Sequence, residues 1–161
     1  MGNIIKVGIA DMNICHSPDK ITTVGLGSCV GVVLYDGITD IAGMVHIMLP
    51  DSTKINNNSN KLKFADTGID ALLESLLKSG IRESALKSKI AGGAQMFSYL
   101  LKSSIGNVGE NNVIAVKNKL ADLKIPIIAE DVGENFGRTI IFDPQTYELE
   151  VSCVGKERYI I

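Results

Sequence analysis

The fold is decided by the stretch Ile21-Thr-Thr-Val-Gly-Leu-Gly-Ser-Cys-Val-Gly-Val-Val-Leu-Tyr35. Its Ile, Val, Thr and Tyr residues favour strands, while three interspersed glycines allow a bend or a close approach of another group. Asp36-Gly37 follows as a turn signal, and a second apolar run covers residues 41–49. The pattern predicts two consecutive, antiparallel strands.

Helices are predicted in the middle of the chain, and strands towards both ends. Apolar residues recur at helical spacing over residues 65–77, and this helix ends at Ser79-Gly80. A second helix covers residues 110–123 and ends before Pro126. Further strands are predicted at residues 4–10, 86–92, 127–130, 138–142 and 148–154. We expect a single domain over residues 1–161 with an α+β (layered α/β) fold, in which mixed or antiparallel sheets pack with helices.

Composition excludes several classes of protein. The 161 residues are 45% hydrophobic and 21% charged, which is usual for a globular chain and not for a disordered one. The net charge of −2 gives no electrostatic reason to expect nucleic acid as a partner. We find no apolar run long enough to insert into a membrane and no signal peptide, and therefore expect a cytoplasmic protein. Three cysteines in such a protein indicate free thiols.

Cys29 is the first candidate for chemistry, because Gly25, Gly27 and Gly31 surround it closely. Glycines leave space around the sulfur and let backbone N–H groups near Gly27 and Ser28 point at a bound carbonyl oxygen. The alternative is that Cys29 is a small core residue, as most buried cysteines are. A phosphate-binding loop is disfavoured, because a β-rich run follows the glycines where a helix would be needed.

His46 is the candidate partner of this thiol, since it is a polar residue inside an apolar run. If the two runs pair as adjacent strands, Cys29 and His46 face each other, and the imidazole promotes a thiolate at neutral pH. A third group usually orients the imidazole. Thr23 lies six residues before Cys29, and an even separation places both on one face of a regular strand.

Other polar groups are weaker candidates. Cys15-His16 is predicted to lie in a loop, and no second Cys or His pair completes a metal site. Cys153 is expected to be packed in a strand. The carboxylates that remain, near the ends of elements, are expected to be caps or solvated charges: Asp66, Glu130 and Asp131. The segment Asn56-Asn-Asn-Ser-Asn60 is predicted to be a surface loop.

Six segments in order resemble one known family. They are Gly25-Leu-Gly-Ser-Cys-Val30, Met44-Val-His-Ile-Met-Leu-Pro-Asp51, Phe64-Ala-Asp-Thr67, Ile90-Ala-Gly-Gly-Ala-Gln-Met-Phe97, Ile105-Gly106 with Asn112, and Ala129-Glu-Asp131 with Gly133-Glu-Asn135 and Gly137-Arg138. This set resembles CheD, the chemoreceptor glutamine deamidases of bacterial chemotaxis. The resemblance runs from about Val7 to Val154.

The resemblance implies a protein-glutamine glutaminase that converts glutamines of methyl-accepting chemotaxis receptors to glutamate through an acyl-enzyme. It implies a fold similar to the catalytic domain of cytotoxic necrotizing factor deamidases. It maps the nucleophile to Cys29, the base to His46 and the third member to Thr23 rather than to the adjacent Thr22. It implies no metal, no cofactor and a protein partner, the CheY-phosphate phosphatase CheC.

Two alternatives remain open at this point. The first is a non-catalytic module that keeps the fold only to bind CheC. The second is a receptor glutamyl methylesterase that uses the same thiol, since hydrolysis of an amide and of an ester pass through the same acyl-enzyme.

Overall fold

A computed structural model of the chain describes residues 1–96 and 107–161. These residues form two α-helices and ten strands. The helices are α1 (Ala65–Lys78) and α2 (Val108–Asp122). The strands are β1 (Ile4–Val7), β2 (Met12–His16), β3 (Lys20–Leu26), β4 (Val30–Tyr35), β5 (Ile41–Ile47), β6 (Lys87–Gly92), β7 (Ile127–Val132), β8 (Arg138–Asp143), β9 (Glu148–Ser152) and β10 (Tyr159–Ile160).

The strands make two mixed sheets of five strands each. We call the first the outer sheet, with strand order β1-β3-β8-β9-β10, and the second the central sheet, with order β2-β5-β4-β6-β7. In the outer sheet β1 runs parallel to β3, and in the central sheet β6 runs parallel to β7. The other strand pairs are antiparallel. The predicted α+β fold with mixed sheets is therefore confirmed.

The central sheet is covered on both faces, which explains why every residue of β4 is buried. Val33 and Met44 face the outer sheet, where they pack with Ile140 and Phe142. Residues of the opposite parity, such as Val32, pack against the two helices. The layers are thus outer sheet, central sheet and helices. Neither helix of the described residues is long and apolar enough to cross a membrane.

Two details differ from the sequence-based prediction. The run 21–35 is not one strand, because it breaks at Gly27–Cys29 and its halves, β3 and β4, belong to different sheets. The prediction of a loop at Cys15-His16 was wrong, since both residues lie in β2 and pair with the start of β5. Pro18 suggested a loop, yet it lies just beyond the end of this strand.

Candidate active site

Cys29 lies in the short connection that carries the chain from the outer sheet to the central sheet. Its carbonyl accepts a hydrogen bond from Gly93 N–H at 2.8 Å, and the Gly27 carbonyl accepts one from Ala94 N–H at 2.8 Å. The thiol is half-buried and packs against the apolar cluster between the sheets. The turn that follows β6 therefore holds the backbone on both sides of Ser28. We call residues 27–29 the nucleophile loop.

Gly92 permits this close approach. Its φ of 113° is a backbone conformation that residues other than glycine rarely adopt. An ideal Cβ at this position would lie 2.2 Å from the Cys29 carbonyl oxygen. Any residue larger than glycine would push the nucleophile loop away from the turn after β6. The Gly-Gly segment of the sequence has its physical reason in this contact.

His46 lies on the face of β5 that meets the outer sheet, and it is fully buried. Its partner across the ladder is Gly31 of β4. A Cβ at Gly31 would lie 2.7 Å from Ile140 Cδ1 and 3.6 Å from Thr23 Cγ2. The glycine therefore lets the outer sheet come close enough for its side chains to reach His46.

Thr23 of β3 is the outer-sheet residue that contacts His46. Its Oγ1 lies 2.7 Å from His46 Nδ1 and 2.7 Å from the carbonyl oxygen of Val7. The hydroxyl has one proton and the carbonyl can only accept, so the hydroxyl donates to Val7 and Nδ1–H donates to the hydroxyl. The neutral ring then carries its lone pair on Nε2. This chain of hydrogen bonds leaves His46 with the tautomer that a general base needs.

The Nε2 atom of His46 is buried and has no hydrogen-bond partner within residues 1–96 and 107–161. Cys29 directly precedes β4 and is two residues before Gly31, the ladder partner of His46, so it lies at the same end of the β4–β5 pair as His46. No hydrogen bond joins Cys29 Sγ to Nε2 in this structure. Hydrogen bonds between catalytic groups often form only when substrate is bound.

The sequence pattern predicts Thr23 beside Cys29 on one face of a single strand, and the structure differs. Parity along one strand does not place Thr23 near Cys29, because β3 ends before the nucleophile loop. Thr23 reaches the imidazole from the outer sheet, whereas Cys29 lies in the connection to the central sheet. The prediction that Thr23 rather than Thr22 faces His46 agrees with this geometry, since the Thr22 hydroxyl donates to the Ile140 carbonyl at 2.7 Å.

Burial favours the uncharged forms of both candidate groups, the Cys29 thiol and the His46 imidazole. It raises the pKa of the Cys29 thiol and lowers the pKa of the His46 imidazole. Both shifts disfavour a thiolate–imidazolium pair. Burial therefore works against the expected thiolate at neutral pH.

Backbone amides of the nucleophile loop are available for an oxyanion. Gly27 N–H donates to the Gly25 carbonyl at 3.1 Å, so it is occupied. The amides of Ser28 and Cys29 donate to no acceptor in the described ranges. In a trans peptide the C=O and the following N–H point in opposite directions. The Gly27 carbonyl is bound by the Ala94 N–H and the Ser28 carbonyl by Asn112 Nδ2 of α2, so each of the two amides points away from the donor that binds the carbonyl of its own peptide.

Comparison with known proteins supports the resemblance. The family model described as CheD chemotactic sensory transduction matches residues 48–153. A relative from Lachnoclostridium phytofermentans is 60% identical over 97% of both chains, and one from Caldanaerobacter subterraneus subsp. tengcongensis is 58% identical over 94% of both. One from Clostridium botulinum is 54% identical over 94% of this chain and 93% of its own. Each of the three is named probable chemoreceptor glutamine deamidase CheD.

The chain belongs to the CheD family. The resemblance inferred from the six segments is thus confirmed. The segments around Cys29 and His46 precede the part matched by the family model, but the three relatives align over nearly the whole chain. Phe97 and the pair Ile105-Gly106, which belong to the CheD-like segments, lie outside the described residues.

Asn112 is a site residue whose role the sequence analysis missed. It lies on α2, is fully buried, and its Nδ2 donates to the Ser28 carbonyl at 2.9 Å and to the Met48 carbonyl at 2.9 Å. The signal was available, because Asn112 shares the apolar stripe of α2 with Val116 and Leu120 at a spacing of four residues. A polar residue on such a stripe indicates a buried hydrogen bond.

Arg138 is a buried cation that binds the ends of β6 and β7 in this CheD-family fold. Its side chain is fully buried, with Nε 3.2 Å from Asp131 Oδ2 and Nη1 3.0 Å from the Gly133 carbonyl oxygen. Nη1 also lies 3.5 Å from the Gly92 carbonyl oxygen. Arg138 therefore connects β8 of the outer sheet to the ends of β6 and β7, next to the turn that holds the nucleophile loop.

The remaining carboxylates have partners that explain them. Asp66 accepts from the hydroxyl of Ser52 at 2.6 Å, and Glu130 pairs with Lys117 at 2.8 Å. Asp131 binds Arg138, as described above. Glu130, in an exposed pair, and Asp66, which also accepts from the Ser52 N–H, agree with the expected solvated charge and cap. Asp131 differs from the expectation, because it is half-buried and pairs with a fully buried arginine.

The other two cysteines are buried free thiols, as expected for Cys153. Burial, with nearby carboxylates, raises the pKa of Cys15 to about 12, so this thiol is not a nucleophile at neutral pH. In the part of the chain that the structure describes, no group of three or more His, Cys, Asp and Glu side chains is placed to hold a metal ion.

Proposed function

We propose that this CheD-family chain is a protein-glutamine glutaminase that hydrolyses glutamine side chains of methyl-accepting chemotaxis receptors to glutamate. The names of the relatives support the substrate and the reaction. The observation that carries the mechanism is the hydrogen bond from His46 Nδ1 to Thr23, which leaves Nε2 unprotonated. In the proposed site Cys29 is the nucleophile, His46 the base and Thr23 the residue that orients the imidazole.

The first half of the reaction forms the acyl-enzyme. Cys29 Sγ attacks the carboxamide carbon while its proton passes to His46 Nε2. The amides of Ser28 and Cys29 donate to the oxyanion, and Gly27 contributes the turn that exposes them. The imidazolium then protonates the amide nitrogen, the C–N bond breaks, and ammonia leaves a thioester on Cys29.

The second half regenerates the thiol. Neutral His46 takes a proton from water, the hydroxide attacks the thioester carbon, and the proton returns to the sulfur as glutamate leaves. No step requires a metal or a cofactor. The lowered pKa of His46 suits this role, because the imidazole stays neutral and able to accept a proton at neutral pH.

The test is mass spectrometry of a receptor signalling-domain fragment after incubation with the wild-type chain in heavy-oxygen water. We expect specific glutamines to gain the mass of a carboxylate that carries one solvent oxygen, with release of ammonia. Cys29→Ala abolishes this gain, and Cys153→Ala, which removes a buried thiol away from the site, preserves it. A folded Cys29→Ala protein with full activity, or an inactive wild type, would contradict the proposal.

The same experiment separates deamidation from methylesterase activity. A receptor fragment methylated beforehand loses methyl groups only if the site accepts glutamyl esters. We propose deamidation as the main reaction because the relatives are named for it.

We also propose the CheC phosphatase as a protein partner that competes with receptor for the face bearing Cys29. Membership in the CheD family supports this partner. Competitive inhibition of deamidation by CheC is the expected result, and inhibition unaffected by receptor concentration would contradict it.

A further inference from the structure

Asn112 is the side chain of α2 that reaches the backbone of the nucleophile loop. Its amide is fully buried, and Nδ2 donates to Ser28 and Met48 with both distances at 2.9 Å. The orientation of the amide follows from its partners, since both are carbonyl oxygens and only an NH2 group can satisfy them. Each Nδ2 proton therefore has its own acceptor.

The oxygen of the Asn112 amide, unlike its nitrogen, makes no hydrogen bond within the described residues. Asn112 Oδ1 is buried and has no hydrogen-bond partner among residues 1–96 and 107–161. A buried acceptor without a partner opposes folding, so the side chain is not explained by its contribution to stability alone. Within the described chain Asn112 acts purely as a double donor.

The bond to Ser28 determines where the next amide points. The Ser28 carbonyl and the Cys29 N–H belong to one trans peptide and are antiparallel. Asn112 Nδ2 is the donor that holds this carbonyl in the described part of the chain. Without it the Ser28–Cys29 peptide loses the hydrogen bond that fixes its own plane, although the carbonyls of Gly27 and Cys29 stay anchored, and the direction of the Cys29 N–H is less well defined.

The bond to Met48 connects the same amide to the histidine strand. Met48 lies two residues after His46, where β5 has just ended. One side chain thus links the loop that carries the nucleophile to the segment that follows the base. This places the oxyanion donor in a fixed relation to the imidazole.

We infer that Asn112 is a positioning residue that orients the Cys29 N–H as an oxyanion donor. The inference rests on the acyl chemistry of the proposed function. It does not require that the acyl group come from glutamine. Two thiol reagents therefore test it without the receptor.

The first reagent, p-nitrophenyl acetate, acylates Cys29 through a tetrahedral oxyanion and releases a burst of p-nitrophenolate. The second, iodoacetamide, alkylates the sulfur by displacement at carbon, with no oxyanion. Loss of an oriented donor should slow the first reaction by roughly 10- to 100-fold and leave the second unchanged. Cys29→Ala gives the background from other groups.

The variants are Asn112→Ala and Asn112→Leu, the latter keeping a side chain branched at Cγ but without donors, in case the former unfolds. The matched control is Val116→Ala, which truncates a fully buried residue one turn later on the same helix without touching the loop. Val116→Ala should lower the rates with both reagents equally, and only as far as it lowers the fraction of folded protein. In receptor assays the Asn112 variants should lower kcat and leave KM unchanged.

Equal slowing of both reagents in the Asn112 variants, an unchanged acylation rate, or a wild type without a burst would overturn the inference. A wild type that acylates normally but releases no ammonia from receptor would refute the proposed function and leave the role of Asn112 intact.

Discussion

Thr23 and His46 lie in different sheets, and their side chains meet at 2.7 Å between Oγ1 and Nδ1. The contact is buried on both sides. Because the Thr23 hydroxyl donates to Val7, the ring nitrogen must be the donor in this contact. In the proposed site a threonine hydroxyl thus takes the place that a carboxylate or an amide has in other Cys–His sites.

Replacing Thr23 by Val keeps the shape of the side chain but removes the acceptor for Nδ1–H. We expect kcat for deamidation to fall roughly 10- to 100-fold, because the ring loses its fixed tautomer and orientation. Thr23→Ser should retain most activity. Thr22→Val is the matched control, since it also loses a buried hydroxyl hydrogen bond on the same strand. Equal losses in the Thr22 and Thr23 variants, measured by ammonia release, would refute the role of Thr23.

The raised pKa of Cys29 makes its alkylation depend on pH in a defined direction. The thiolate is the reactive form, so the iodoacetamide rate should rise with pH and reach its midpoint above that of free cysteine. Below this midpoint the thiol is protonated and the reaction is slow. A midpoint near or below neutrality would instead indicate a thiolate–imidazolium pair. Mass spectrometry of the alkylated peptide identifies the residue that reacts.

Gly92 and Gly80 allow a comparison of steric contact with backbone strain. Their φ values are 113° and 100°, but a Cβ at Gly80 meets no atom within 4 Å. Gly80→Ala should lower the free energy of unfolding by about 1–3 kcal/mol through backbone strain, with activity preserved. Gly92→Ala should cost more and abolish deamidation, because its Cβ displaces Cys29. Chemical denaturation and ammonia release measure the two effects, and an active Gly92→Ala protein would contradict the close packing of the loop.

Arg138 should matter for stability far more than an exposed arginine. Arg138→Met leaves Asp131 without its cation and the Gly133 carbonyl without a donor, while the Gly92 carbonyl keeps the N–H of Gly133. We expect a loss of about 3 kcal/mol in the free energy of unfolding. This value is at the lower end of the range for breaking a buried ion pair, because Asp131 is partly exposed. The control Arg158→Met removes an exposed pair with Glu150 and should cost less than about 1 kcal/mol. Similar losses from urea titration of both variants would argue against the connecting role of Arg138.

The sequence predicts the helices and most strands well, because periodicity and turn residues are local properties. It also makes Cys29 and His46 candidates for the site, because they stand out as a thiol among glycines and a polar residue in an apolar run. It does not predict which sheet each half of residues 21–35 joins, since the crossing at Gly27 depends on contacts with residues far along the chain. For the same reason the partners of Asn112 and Arg138 become visible only when β6, β7 and α2 are in place.

The division of the site between two sheets makes catalysis sensitive to how those sheets slide over each other. A relative shift of about 1 Å would lengthen the bond between Thr23 and His46 beyond hydrogen-bond range, while the apolar layer between the sheets would lose little contact. Side chains buried in that layer, such as Phe142 and Met44, would therefore influence turnover at the proposed site through the spacing of the sheets. A substitution there would reduce the rate at temperatures where the protein is still fully folded.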